Sequence, residues 1–506
     1  MGSGIKSVTA YLFVLRLLRL GISLITVTFT AKYYGVSIEK DIWLLVSTLI
    51  ATICSACWGP FNETFRSQFI FIKEGESERM ANRAAANLIT TITFVSILIC
   101  AIIYVARMPL ADFFAIDFPE KGKELFEILL LIMLPSFLLT ELPSIGISVL
   151  NAYNIFYLPE IVGFFSGLSN LAIIVCLAPK IGIYALAISQ YVGCILLSLA
   201  IIIYIIKLKK FTFTDFVTIK WIYIRPFVFY ALPFFVPYFL GQLNAMSEKW
   251  LAGLLGPGNV SSLDYSRQFT VILQGVIGSV LTSVLVPILA THKMKNETIE
   301  FSKSLKDCIG IIFMILLLAI PLLFGGAYPL CTILYHRGAV TMENIALISN
   351  LCRCFSFSFI GVVTYLIFGC FMLSVGEGKK YALIGAMCQI GVIVANVLLY
   401  SVLDLYIFPL SLGVMHFIAG FVMWYKVRDT ADCSMRHILY YSLIIIVLSI
   451  AVLGLFNTLD IQNTWISLMI ISGAIVLMSL PLSYLFGVDL KRLAYERIFR
   501  STRRKS

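Results

Sequence analysis

GPGNVSSLDYSRQFTVILQGVIGSVLTSVLVP, residues Gly256–Pro287, reads as a membrane helix, yet Asp264 and Arg267 sit near its start, one helical turn apart. Hydrocarbon excludes both charges unless they face a partner or a water-filled cavity. The stretch therefore predicts a membrane fold in which much of the chain is scaffold for a cavity that Arg267 faces.

The remaining sequence agrees with a membrane fold. Of 506 residues, 60% are hydrophobic and 13% charged, and the mean hydropathy is +0.96. Soluble domains average roughly 45–50% apolar and about 25% charged residues. Apolar runs long enough to cross a bilayer core of about 30 Å recur from end to end. The expected fold is an all-α polytopic membrane protein with a central cavity. No hydrophilic segment is long enough for a soluble domain, the longest being Lys207–Arg225 and the residues after Asp489. A soluble catalytic module is thereby excluded, and the chain is not expected to be an enzyme. No GxxxxGK[ST] loop is present, so ATP hydrolysis by this chain is not expected. The first apolar segment carries Arg16 and Arg19, has no small-residue cleavage site after it, and reads as a retained helix.

About fourteen spans are predicted, with cores near 8–31, 42–71, 84–106, 125–150, 158–178, 182–206, 226–254, 262–290, 308–333, 345–374, 381–403, 406–425, 438–457 and 464–487. Gly59-Pro60 is expected to kink the second. The order predicts a six-helix lobe at 1–206, a cytoplasmic linker at 207–225, a second six-helix lobe at 226–430, two further helices at 431–487 and a basic cytoplasmic tail at 488–506. With the N-terminus placed in the cytoplasm, twenty-five Lys and Arg fall in the cytoplasmic loops and ends and seven in the outer loops. That asymmetry follows the positive-inside rule and places both termini inside. It also accounts for much of the net charge of +11 and for the tail without nucleic acid, the basic end facing anionic lipid.

Twelve cysteines lie almost entirely in apolar segments. Cys54 and Cys57 form a CxxC, a spacing compatible with redox or metal chemistry, but their setting favours packing. His292, His336, His416 and His437 have no ligand-like spacing. No metal and no cofactor is expected.

Six basic residues remain at membrane depth: Arg16, Arg19, Arg66, Lys249, Arg267 and Arg353. Acids at or near that depth include Asp41, Glu63, Glu141, Glu160, Glu248 and Asp264. A central charge costs about 2.5–3.5 kcal/mol on insertion scales. Glu63 and Arg66 are spaced to pair on one helix, and Glu248 with Lys249 reads as snorkelling near a helix end. For Arg267 the bland alternative is pairing with Asp264, and for Arg16 and Arg19 it is interfacial anchoring. A weak repeat links Leu150–Asn170 to Leu373–Asn396 and Gly35–Asp41 to Gly256–Asp264, each six spans apart. Parallel repeats of this kind are common in transporters.

Four stretches carry a family likeness: AKYYGVSIEKDIWLL (Ala31–Leu45) followed by WGPFNETF (Trp58–Phe65); LNAYNIFYLPE (Leu150–Glu160); LDYSRQFTVILQGVIGSVLTSVLVPILA (Leu263–Ala290); and LYHRGAVTMENI (Leu334–Ile345). In order and spacing they resemble the MurJ/MviN lipid II flippases of the multidrug/oligosaccharidyl-lipid/polysaccharide exporter superfamily. The resemblance implies fourteen helices in two lobes around a cavity. It also implies flipping of an undecaprenyl-pyrophosphate-linked sugar to the outer leaflet of the bacterial inner membrane. Family arginines on helices 1, 2 and 8 line that cavity. By position the helix-8 arginine falls on Arg267, and the acid after the first span on Asp41. The other family arginines fall near Leu20, Thr26 and Ile53 or Cys54, none of them basic, which leaves Arg19, Arg16 and Arg66 as replacements.

Such a substrate needs cations for its pyrophosphate, and the arginine fork matches phosphate oxygens two at a time. Arg267 with Arg16 or Arg19 is the expected clamp, with Asp41, Arg66 and Asp264 completing the candidate site. Asn62, Gln68, Gln242, Asn244, Ser266 and Gln274 are candidate polar walls. The expected partners are a lipid-linked oligosaccharide and membrane lipid, with no nucleic acid and a monomer compatible with the chain. The substrate alternatives are lipid II and another polysaccharide or O-antigen precursor. The competing function is a cation-coupled multidrug exporter of the same superfamily, which would need an acidic cavity.

Overall fold

The computed structural model describes residues 2–153, 155, 157–207, 211, 215–216, 219–281, 285–428, 435–459, 461 and 463–483. Among these there are helices and no strand. The basic tail at 488–506 and parts of the linker at 207–225 lie outside the described residues. Eleven stretches are long and apolar enough to cross a membrane, or twelve if the bent pair Glu120–Met133 and Ser136–Ala152 is one broken span. One of the eleven, Gly378–Val427, contains two helices joined by the 3-10 turn Asp404–Tyr406. Asn259–Val280, which carries Asp264 and Arg267, is not among them. The expectation of about fourteen spans counted each of these separately.

The chain divides into two compact units, Met1–Tyr265 with Tyr335–Thr341, and Ser266–Leu334 with Met342–Ser506. The first contains α1 (Gly2–Tyr34), α2 (Ile38–Gly75), α3 (Glu78–Val105), α4 (Arg107–Phe114), α5 (Glu120–Met133), α6 (Ser136–Ala152), α7 (Tyr157–Ile181), α8 (Tyr184–Lys207), α9 (Trp221–Ala231) and α10 (Phe235–Leu254). It also holds the start of α11 (Asn259–Val280). Helix α2 is its axis and packs against α3, α5, α6, α9 and α10. Phe65 stacks on Phe227 at 5.0 Å between centroids, and Phe61 meets Phe235 edge-on at 5.7 Å. Lipid is as apolar as these rings, so close van der Waals packing rather than escape from water joins such helices. Helix α1 packs on α7, and α8 on α6 and α7.

Two prolines bear on helix continuity. The second span is one continuous helix through Pro60, with Thr64 Oγ1 donating to the Pro60 carbonyl at 2.7 Å. The predicted span 125–150 instead breaks between α5 and α6 with a bend of 47°. Pro135 explains the break, since it lacks the N–H that would bond the Leu131 carbonyl one turn back.

The second unit contains most of α11, then α12 (Val286–Met294), α13 (Thr298–Gly325), most of α14 (Ala327–Tyr335), α15 (Met342–Ser374), α16 (Gly378–Leu403), α17 (Ile407–Val427), α18 (Met435–Leu459) and α19 (Thr464–Ser483). Helix α15 is deeply buried and packs closely on α17. Their seam is made of small residues: a Cβ on Gly361 would collide with the Gly413 carbonyl, and one on Gly413 would lie 2.7 Å from Ser358 Cα. Small residues let two backbones approach where lipid supplies no other driving force.

Candidate functional site

Two charged clusters of the first unit contain sequence candidates. One is formed by α1 and α7. Arg16 and Arg19, three residues apart on α1, point the same way, and both reach Glu160 in the first turn of α7. Arg16 places Nε 3.0 Å and Nη2 2.9 Å from Glu160 Oε1, and Arg19 places Nη1 3.1 Å from Oε2. Gly163, one turn beyond Glu160, makes room: a Cβ there would lie 3.0 Å from Arg19 Nη1. The arginine side chains stay 59% and 47% exposed, whereas Glu160 is 16% exposed. Two guanidinium groups thus share one carboxylate and keep donors available for another anion. Thr26, where the family likeness places an arginine, donates its hydroxyl to the Ile22 carbonyl.

The other cluster forms where the α1–α2 turn meets the start of α11. Gly35 takes a φ of +59° to turn the chain, and Ser37 caps α2 by accepting from the Lys40 N–H at 3.2 Å. Asp41 then accepts hydrogen bonds from the backbone N–H of Gly258 at 2.5 Å and of Ser261 at 2.7 Å. Helix N-termini leave N–H groups unsatisfied and favour negative charge, so a carboxylate caps them well. Asp41 is fully buried, and Lys40 lies over the Trp43 ring at 4.2 Å. Tyr265 donates to the Gly35 carbonyl, and Tyr335 to the Tyr265 carbonyl, each at 3.2 Å. The Ala339 N–H donates to the Lys32 carbonyl at 3.2 Å, with Gly338 at φ +64° so close to that carbonyl that a Cβ would collide. Asp264 stands 3.7 Å from Lys249. Lys249 therefore does not simply snorkel as expected: an acid from the next helix holds it at 20% exposure, and Glu248 beside it is buried.

Of the six sequence candidates, the structure brings Arg16 and Arg19 together and places Asp41 and Asp264 in the same neighbourhood. Arg66 is exposed on α2, and Glu63 accepts from the Tyr238 hydroxyl at 3.1 Å. Arg267 belongs to the second unit, where its guanidinium lies 4.9 Å from the Phe355 ring centroid on α15, within cation–π range.

Two acids that the sequence left without a role acquire partners. Glu160 is shared by the arginines; its place in the marker stretch LNAYNIFYLPE was the available signal. Glu141 accepts from Cys54 Sγ at 2.8 Å and from Asn62 Nδ2 at 3.1 Å. Cys54 is thus more than packing, a contact that no spacing in the sequence announced.

A family profile described as lipid II flippase MurJ matches residues 30–475. The lipid II flippase MurJ of Burkholderia cenocepacia is 24% identical over 240 residues, 46% of either chain. A probable lipid II flippase MurJ of Buchnera aphidicola subsp. Acyrthosiphon pisum is 23% identical over 361 residues, covering 67% of this chain and 68% of that one. The match thus spans about half the length of the first relative and two thirds of the second. Among solved structures, a lipid II flippase MurJ in an inward closed conformation superposes with a TM-score of 0.79 at 19% identity, covering 97% of this chain and all of that one. An inward-facing multidrug resistance MATE transporter of the MOP superfamily reaches 0.66 at 14% identity, covering 82% and 97%. At these identities the superpositions speak for the fold.

Proposed function

The chain belongs to the lipid II flippase MurJ family, and from that membership we propose that it moves an undecaprenyl-pyrophosphate-linked glycan from the inner to the outer leaflet by alternating access. The glycan is lipid II or a related polysaccharide or O-antigen precursor, and the membrane is the bacterial inner membrane with both termini cytoplasmic. The charge asymmetry of the loops supports that orientation.

One observation carries the reading: two half-exposed arginines converge on a single carboxylate. Glu160 holds both forks oriented without neutralising the pair. An incoming pyrophosphate offers more charge and more acceptor oxygens than Glu160, and charge-assisted forked bonds are the strong ones. Glu160 thereby acts as an internal stand-in that the substrate displaces and that reclaims the arginines on release. Arg267, beside Phe355 in the second unit, is a separate candidate cation for an anionic group. The competing reading, a cation-coupled small-molecule exporter, draws support from the MATE likeness. The basic character of the arginine cluster opposes it.

The test is depletion of the protein followed by chemical identification of the lipid-linked intermediate that builds up in the inner leaflet. Accumulation of lipid II assigns the substrate, and another undecaprenyl-pyrophosphate glycan reassigns it within the class. If no lipid-linked intermediate accumulates while sensitivity to cationic drugs rises, the proposal is wrong.

A further inference from the structure

Away from the arginines, the first unit buries a carboxyl group without a cation. Glu141 lies in the second turn of α6, just past the break at Pro135, and is 5% exposed. Among the described residues its partners are neutral: the Cys54 thiol, which donates to Oε1 at 2.8 Å, and the Asn62 amide, which donates to Oε2 at 3.1 Å. Both partners are on α2, on opposite sides of Pro60. The carboxyl group therefore braces the turn of α2 in which proline removes a backbone hydrogen bond.

A small cavity adjoins the carboxyl group, lined by Ile89, Ile92, Thr93, Ser96, Leu138, Glu141 and Ile145. Ser96 is fully buried there, and its Oγ has no hydrogen-bond partner; Asn62 Oδ1 is buried in the same state. Buried polar atoms are nearly always satisfied, so exceptions next to a titratable group call for a reason. Around Glu141, the groups that the described residues of the helices packed on α6 present are thiols, hydroxyls and an amide. They are Cys54, Cys57 and Asn62 from α2, Thr93, Ser96 and Cys100 from α3, and Tyr191, Cys194 and Ser198 from α8. None of them neutralises a carboxylate. An uncompensated charge in this setting is costly, and a proton removes it.

We propose that Glu141 is a proton-binding site: the ionised carboxylate braces α2 across Pro60 through Cys54 and Asn62, and proton uptake releases the brace, coupling α2 to a proton gradient. In the ionised state both oxygens accept, and the Cys54 and Asn62 bonds are charge-assisted. When Glu141 takes a proton from the aqueous phase, one oxygen becomes a donor and the bond to that oxygen is lost. Ser96 Oγ and Asn62 Oδ1 are nearby acceptors for the new O–H. On deprotonation the proton returns to water and the brace re-forms. The inference rests on the chain being a transporter and is independent of which glycan it carries.

The test uses the full chain, purified in detergent, and infrared difference spectra between acidic and alkaline buffer. The wild type is expected to show a protonated-carboxyl band that titrates; E141Q lacks it, and Glu141→Asp retains a titrating band. If wild-type and E141Q spectra coincide, the proposal fails. Should E141Q not reach the membrane, Cys54→Ala serves instead. Loss of a donor to the ionised form is expected to move the titration midpoint to higher pH by about one unit; an unmoved midpoint overturns the brace. A band that responds to sodium at constant pH also overturns the proposal, in favour of a metal-cation site. Export in cells should lose its sensitivity to a protonophore in E141Q while the variant stays at wild-type level; retained sensitivity counts against coupling. A titrating band without any accumulating lipid-linked glycan defeats the substrate reading alone, and an absent band with such accumulation defeats this inference alone.

Discussion

The Arg16–Arg19–Glu160 cluster and the Asp41 cluster are both built from charges at or near membrane depth, yet they are unlike in what their charges meet. At the first, cations outnumber the acid and the arginines are about half exposed. At the second, Asp41 is fully enclosed and both its oxygens are occupied by backbone N–H groups of the α11 start. A charged group with a fixed, complete set of backbone partners holds the fold. A charge that keeps spare donors toward solvent is available for a ligand. Charge at depth alone does not separate the two; partners and exposure do.

That contrast can be broken by mutation, the largest effect first. Asp41→Ala leaves two buried N–H donors unsatisfied and should cost about 3 kcal/mol or more. The readout is a lower unfolding temperature in detergent and a lower membrane level, with Asp41→Asn milder because it still accepts from one donor. If Asp41→Ala proved as stable as wild type yet dead for export, the division would collapse. Replacing Arg16 and Arg19 together with alanine should do the reverse: glycan export falls by at least about tenfold while stability shifts by no more than about 1 kcal/mol, the range of exposed ion pairs. Unchanged export in that double variant, at normal protein level, would remove the pair from the transport reaction. Glu160→Gln should leave stability nearly unaltered and slow release of the headgroup severalfold, seen as tighter binding of a pyrophosphate-lipid probe with reduced turnover. The smallest effect is expected for Arg16→Lys with Arg19→Lys, which keeps the charge and loses the fork, for a loss of a few fold in export.

Much of the architecture is legible in the amino-acid sequence. The boundaries of α15, α16, α17 and α18 match the predicted spans within a few residues, because a run of apolar side chains in lipid has to satisfy its backbone internally and a helix does so. One place where sequence and structure part is at a proline: Pro135 divides one expected span in two, whereas α2 stays continuous through Pro60. A proline removes one hydrogen bond in either case; whether neighbours make up for it is a matter of packing. The site is legible only as a set of residue types. Arg16 and Arg19 are visible as a pair on one helix face, but their partner lies more than 140 residues away. Asp41 is visible as an acid after the first span, and its partners lie more than 210 residues away.

The amino-acid sequence by itself determined an all-helical membrane protein, its family and the inventory of charges that lipid would reject. These follow from local quantities, hydropathy and spacing along one helix, which need no knowledge of what folds against what. Tertiary structure alone decided that Glu160 serves both arginines, that Asp41 caps a helix, and that Glu141 meets a thiol and an amide in place of a cation. The partner of a charge is set by long-range packing, and in a medium of low dielectric the partner decides whether that charge holds the fold, waits for a ligand or takes up a proton.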